Sequence, residues 1–361
     1  MKISPLQIGN LKAKIPIIQG GMGIGVSLSK LASAVANEGG IGIISGVQIG
    51  FNEEDFETNS KEANIRALRK EIRKSKKLSP LGIIGVNLMV AMNNYDEMAK
   101  AAVEEGIDVI ISGAGIPKNL PDLVKGSKTK IAPIVSSGKA AKIICKLWYD
   151  KYSYLPDFIV VEGSEAGGHL GFNYEKLIEN NDLTLEKILK EVIEEVKYFE
   201  NKYEKNIPII VAGGIYTGKD IGKYLKLGAH GVQMATRFIC TEECDAHINY
   251  KKCYLECKEE NIDIIKSPVG LPGRAIINNF IKEIENNRDE IDRCYGCLKK
   301  CNPKTTIYCI SKALINAVRG NVEEGLLFIG SKGYKMNKII TVKELMKELM
   351  KELIEEVKDY E

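Results

Sequence analysis

The feature that most limits what this chain can fold into is a steady alternation of short apolar runs with amphipathic stretches. The apolar runs fall at 15–19, 40–45, 82–88, 107–112, 130–136, 157–162, 207–212 and 230–234. They are rich in Ile and Val and apolar on both faces, the pattern of a parallel sheet covered by helices on either side. Helix-patterned segments lie between them at 28–38, 61–77, 95–105, 117–126, 138–150, 184–204 and 217–227, and one more at 241–259 follows the eighth run. Eight strand–helix repeats in about 250 residues predict an α/β chain closed into a (β/α)8 TIM barrel. A doubly wound open sheet is the other arrangement of such repeats, but eight strands in regular alternation favour closure.

In a barrel of this kind the working face lies at the C-terminal ends of the strands. Gln19-Gly20-Gly21-Met22-Gly23, Asn87, Ser112–Gly115, Ser136–Gly138, Ala212-Gly213-Gly214 and Gln233-Met234-Ala235-Thr236 all fall there. The turns after strands seven and eight, at Gly213-Gly214 and Ala235-Thr236, occupy the place where barrels often hold a phosphate on backbone N–H groups. After strand six comes Glu162-Gly163-Ser164-Glu165-Ala166-Gly167-Gly168-His169, a glycine-rich loop ending on one of the chain's three histidines. Glycines let a backbone approach an anion or a flat ring without a Cβ in the way. His169 adds the side chain that titrates near neutral pH, so a cofactor loop with an acid/base beside it is the functional reading. A tight turn carrying a solvated histidine is the plain one. His230, at the opposite end of a strand, and His247, on an outer helix, read as structural.

The balance of 51 basic against 48 acidic residues gives no electrostatic reason to expect nucleic acid or an anionic membrane as partner. Residues 1–7 carry no apolar signal core, and no uncharged apolar run of about 18 residues occurs, so a cytoplasmic protein is expected. Past the barrel, taken as 1–261, residues 262–335 break the alternation. A Pro/Gly-rich loop at 266–274 is expected to cover the rim, with helices at about 275–290 and 309–320. The segment 336–361 closes with an amphipathic helix packing Val342, Leu345, Met346, Leu349, Met350 and Leu353 on the barrel, capped by Thr341 with Glu344.

With the rim motifs assembled, the chain resembles the nitronate monooxygenase family, formerly 2-nitropropane dioxygenase, which includes the flavin-dependent enoyl-acyl-carrier-protein reductase II enzymes. The likeness runs over roughly 5–275 and rests on IPIIQGGMG, NEGGIGIIS, VEGSEAGGHLG, IPIIVAGGI and GAHGVQMATRF, in the family's order. It implies an FMN-binding barrel with a catalytic histidine at His169. It also implies FMN contacts at Gln19, Gly21, Met22, Gly23, Asn87, Gly167, Gly168, Gly213, Gly214, Gln233 and Thr236, to which the neighbouring Glu162, Met234 and Ala235 are added. Glu162 stands where many monooxygenase members carry Gln and reductase-like members often carry Glu. The implied reaction is oxidation of an alkyl nitronate by O2, and the alternative is NAD(P)H-driven reduction of an enoyl thioester. Both act on a small molecule, and a homodimer is compatible with either. A flavin-bound redox sensor is the non-enzyme alternative, though it has no need of His169.

The barrel does not explain the cysteines. Cys294, Cys297, Cys301 and Cys309 lie within sixteen residues, and the first pair has metal-site spacing. Four thiolates suit Zn2+ or an iron–sulfur cluster; free thiols in a lid segment are the other reading. Cys240, Cys244, Cys253 and Cys257, spaced i, i+4 in pairs, read as helix packing.

Overall fold

The computed structural model describes residues 3–179, 183–289 and 291–358. The expected helix 275–290 and C-terminal segment 336–361 therefore each include residues outside the described ones. A hairpin, β1 (Leu6–Ile8) and β2 (Leu11–Ala13), precedes the barrel. The barrel strands are β3 (Ile17–Gln19), β4 (Ile41–Ser45), β5 (Ile83–Met89), β6 (Val109–Gly113), β7 (Lys130–Val135), β8 (Ile159–Glu162), β10 (Ile209–Ala212) and β11 (Gly231–Met234). The short β9 (Gly168–His169) stands apart in the loop after β8. All eight barrel strands pair in parallel, in the order β10-β11-β3-β4-β5-β6-β7-β8, and the ring closes where β10 meets β8. Every expected strand is present, most beginning one or two residues later than the apolar run does.

Branched side chains fill the interior: Ile18, Ile41, Ile43, Val109, Ile111, Val160 and Ile210 form one buried cluster with Leu6, Ile8 and Ala13 of the hairpin. The hairpin touches Gly231 and Lys130 at the start of their strands, so it plugs the N-terminal end and leaves the other end open. Outside run α1 (Ser29–Asn37), α2 (Ser60–Leu78), α3 (Tyr95–Glu104), α4 (Leu120–Leu123), α5 (Gly138–Tyr152), α6 (Tyr174–Glu179), α7 (Leu185–Tyr203) and α8 (Gly218–Lys226). Their starts follow local chemistry. Ser137 accepts the Ala140 N–H ahead of α5, and Thr217 with Asp220 closes a capping box ahead of α8.

The main departure from expectation concerns helix 241–259. After a single turn, α9 (Thr236–Ile239), only α10 (Ile248–Glu256) is α-helical there, and α10 packs in a second apolar core rather than on the barrel wall. The outer place between α8 and α1 is taken instead by α13 (Val342–Lys358). Gly218 permits this: a Cβ there would stand 2.2 Å from the Leu349 carbonyl oxygen, so the two helices touch backbone to backbone. Val342, Leu345, Met346, Leu349 and Leu353 are buried in the barrel's outer core, each contributing roughly 1.5–3 kcal/mol, with Met350 half-buried beside them. The Thr341–Glu344 cap forms as expected.

Between α10 and α13 the chain builds a cover. Strands β12 (Ile262–Lys266) and β13 (Pro272–Ile276) make a hairpin out of what reads as a loop, and β13 pairs antiparallel with β9. Helices α11 (Asn279–Asn286) and α12 (Ile310–Val318) follow. Among the described residues, no helix is long and apolar enough to cross a membrane.

Candidate active site

A cavity of about 250 Å³ opens at the C-terminal ends of the barrel strands. Gly20 to Gly23 line it after β3, Ser45 at the end of β4, Asn87 and Met89 from β5, and Glu162 at the end of β8. Gly213 and Gly214 follow β10, and Gln233, Met234, Ala235 and Thr236 close the ring from β11. The loop from Glu165 to His169 reaches across the mouth, and Tyr250, Leu314, Phe328 and Gly330 of the cover complete the wall.

His169 is held by groups distant in sequence. Its strand partner is Gly273 on β13, and the next residue, Leu170, donates its N–H to the Pro272 carbonyl at 2.8 Å. The His169 Nε2 atom lies 2.7 Å from the Ser267 hydroxyl at the hairpin turn. The Phe328 ring meets the imidazole edge-on, with centroids 4.9 Å apart. The ring keeps part of its surface toward the cavity but is otherwise enclosed, and burial lowers its pKa to about 4. At neutral pH it is an uncharged imidazole. Ser267 can donate or accept, so it suits the ring with its proton on either nitrogen.

The loop before His169 is equally anchored. The Arg274 guanidinium donates to the carbonyls of Ser164 and Ala166, and the Ser331 N–H donates to the Glu165 carbonyl at 3.1 Å. Glu162, half-buried at the cavity floor, is pushed up by desolvation to about 8, so its carboxyl holds a proton at neutral pH.

Comparison with known proteins now decides the family. The sequence model describing nitronate monooxygenase matches residues 4–352. The chain belongs to the nitronate monooxygenase family. It is an oxidoreductase. It is similar to a probable nitronate monooxygenase of Staphylococcus saprophyticus, 28% identical over 81% of this chain and 83% of that protein. A (3aS,4S,5R,7aS)-5-hydroxy-7a-methyl-1-oxo-octahydro-1H-indene-4-carboxyl-CoA dehydrogenase of Rhodococcus jostii is 25% identical over 75% of this chain, which spans 65% of that protein. Among solved structures, FabK from Thermotoga maritima superposes with a TM-score of 0.73 at 26% identity, covering 96% of this chain and 95% of that one. Nitroalkane oxidase from Streptomyces ansochromogenes shares the fold, with a TM-score of 0.75 at 20% identity over 96% of this chain and 98% of that one.

Within this family member, all the residues expected to touch a cofactor line the cavity except Gln19. Gln19 is fully buried beneath it, and its amide accepts the Ile43 N–H at 3.0 Å and donates to the Ile43 carbonyl at 3.1 Å. It bridges β3 to β4 where only one residue pair of those strands is in register, and nothing of it reaches the cavity. Gly167 lines the cavity, yet its missing side chain makes room for protein: a Cβ would stand 2.5 Å from the Ile329 carbonyl carbon. Gly213 and Gly214 have φ of +94° and +72°, which side chains resist, so their turn depends on glycine. The Gln233 amide oxygen is buried at the wall with no hydrogen-bond partner. An acceptor left so is expensive unless something else donates to it.

Ser267, Phe328, Arg274 and Tyr250 were not among the expected site residues. The Pro/Gly-rich loop at 266–274 is the one sequence signal that pointed toward two of them. His230 and His247 are structural: the Nδ1 of each accepts a backbone N–H, from Ile209 and Asn249.

The cysteines divide into two groups. Cys240, Cys244 and Cys257 are buried in the second apolar core. Cys240 and Cys244 lie outside any long helix, so the expected i, i+4 relation does not hold for them. Cys294, Cys297, Cys301 and Cys309 do come together around a small cavity of their own. Among the described residues, however, no three His, Cys, Asp or Glu are placed to hold a metal ion.

Proposed function

We propose that the protein binds FMN at the barrel mouth and oxidises alkyl nitronates with O2. The orphaned Gln233 oxygen is the observation that carries the cofactor assignment. It is a buried acceptor on a side chain that lines the cavity, and the ring N–H of a flavin is a donor of the kind it lacks. Gly213, Gly214, Ala235 and Thr236 would hold the phosphate on backbone N–H groups. Gly21, Met22, Gly23, Asn87, Glu162, Gly168 and Met234 would lie along the rest of the cofactor. When bound, FMN supplies the electron transfer, a chemistry that no side chain here provides.

The chain's own part is positioning and proton handling. His169 is neutral, so it can take the α-proton of a nitroalkane or, through a ring N–H, hold the oxygens of a nitronate. Ser267 and Phe328 fix the plane of the ring. Glu162, protonated at neutral pH, adds no negative charge beside an anionic substrate. The hairpin of β12 and β13 holds the His169 strand in place from outside the cavity.

A second reading, reduction of an enoyl thioester with NAD(P)H as reductant, has an observation of its own. An open groove of about 690 Å³ begins at Gly171, two residues past His169, and runs beside Ser136, Phe172 and Lys176. It offers room for a long substrate arm, and one relative acts, by its name, on a carboxyl-CoA. The test is the visible spectrum of the protein purified without oxygen, recorded as alkyl nitronate and then NADH or NADPH are added. Bleaching of a flavin band by nitronate supports the first reading. A band that ignores nitronate and bleaches with NAD(P)H moves the assignment to the second. Absence of flavin, even after FMN is added, overturns both.

A further inference from the structure

We propose that Cys294, Cys297, Cys301 and Cys309 bind an iron–sulfur cluster on the cover of the barrel. All four thiols line one cavity of about 100 Å³, separate from the active-site cavity. Their spacing, with a Cys-x-Gly-Cys turn first, puts four thiols on one short stretch of chain that could wrap a cluster held by four thiolates. Gly296 takes a left-handed φ of +58° in that turn, and its N–H donates to the Cys294 sulfur at 3.4 Å. Cys309 stands at the N-cap of α12, at the start of the helix that leaves the cysteine segment.

The spread of the thiols selects the kind of metal centre. Four sulfurs around one Zn2+ stand 2.3 Å from it, a closeness that would place them together as a single-ion site. None exists among the described residues, and an open volume lies between the thiols instead. That volume suits the iron and sulfide core of a cluster. The segment is also in place without it: Asn93 donates its N–H to the Cys297 carbonyl at 3.2 Å, and Lys299 to Ala91 at 2.9 Å, tying the turn to the loop after β5. The described residues from 287 to 309 form no helix or strand, so ligation would add a cross-link to a segment that backbone ladders do not hold. From Cys309, α12 runs to Leu314 on the active-site wall, five residues or about 7.5 Å along the helix axis. The cluster therefore sits on the element that closes the active site. This assignment does not depend on which reaction the barrel catalyses.

The test uses the full chain purified without oxygen, and again after incubation with ferrous iron, sulfide and a thiol reductant. Iron and acid-labile sulfide are measured per chain, with electron paramagnetic resonance after dithionite. About two of each per chain for a [2Fe–2S] core or about four for a [4Fe–4S] core, and a reduced-cluster signal, are expected for a cluster on four thiolates. Cys297→Ser and Cys301→Ser should lose nearly all of both, as should Cys294→Ala, whose exposed position makes a folding defect improbable. Cys253→Ser, on α10, should keep them. Circular dichroism confirms that each variant is folded. No iron after reconstitution, one zinc per chain in its place, or iron that survives the Cys297→Ser/Cys301→Ser double change would each overturn the proposal.

Discussion

Replacing Ser267 by Ala tests whether the cover positions the active-site histidine. The hydroxyl is 2.7 Å from His169 Nε2, and the imidazole's other close neighbour is the apolar Phe328 ring. Removal of the hydroxyl takes away the imidazole's orienting bond and leaves one nitrogen unsatisfied. Such a loss costs about 1–3 kcal/mol. If the bond matters to the transition state, that is roughly a 5–150-fold fall in kcat/KM. The fold should change little, because the hydroxyl's bond from the Val269 N–H, at 3.3 Å, lies in an accessible turn. The assay is steady-state O2 consumption with a primary alkyl nitronate between pH 4 and 9, alongside flavin content and thermal unfolding. Since burial, not Ser267, lowers the His169 pKa, the acid limb of the profile should stay in place while its height falls. Ser267→Thr should recover most of the rate. A Ser267→Ala enzyme within twofold of the parent, or one whose loss merely tracks lost flavin, would refute the positioning role.

Four further outcomes follow from the same geometry. Gly213→Ala forces a side chain onto φ +94° and puts its Cβ 3.0 Å from the Ala166 nitrogen, costing about 1–2 kcal/mol and weakening FMN retention, read by fluorescence titration. Gln233→Met removes the orphaned oxygen, so the flavin-free protein should melt no lower than the parent while its FMN affinity drops; unchanged affinity would remove the ground for placing the ring there. Glu162 is raised from 4.5 to about 8, so the folded protein keeps a proton that the unfolded chain releases above pH 4.5. Stability from this group should thus fall as pH rises from about 4.5 to 8, by a few kcal/mol, and Glu162→Gln should flatten that slope in urea titrations of the flavin-free protein. Leu349→Ala on α13 should cost about 2–5 kcal/mol despite lying far along the chain from the barrel strands, because the residue is fully buried in their outer core.

How much of this was legible in advance depends on how local each signal is. The eight strands and the open end of the barrel could be read directly, because a doubly covered parallel strand is a run of branched apolar residues and its working end is marked by glycine. The face of α13 and its Thr341–Glu344 cap were legible for the same reason. Where α13 goes was not: its 3.6-residue period says that one side is buried, but only the backbone contact at Gly218 decides that it is the eighth barrel helix. Helix 241–259 failed because apolar spacing near Cys240 and Tyr250 answers to a second core, formed by residues from Ile24 to Met336. Gln19 looked like a rim residue and proved to be a bridge to Ile43, a distinction of which way one side chain turns. The sequence alone determined the barrel, its mouth, and His169 beside that mouth. The pairing of β13 with β9 and the Ser267 hydroxyl on His169 were decided only in three dimensions, since each joins segments whose separation along the chain leaves no periodic trace.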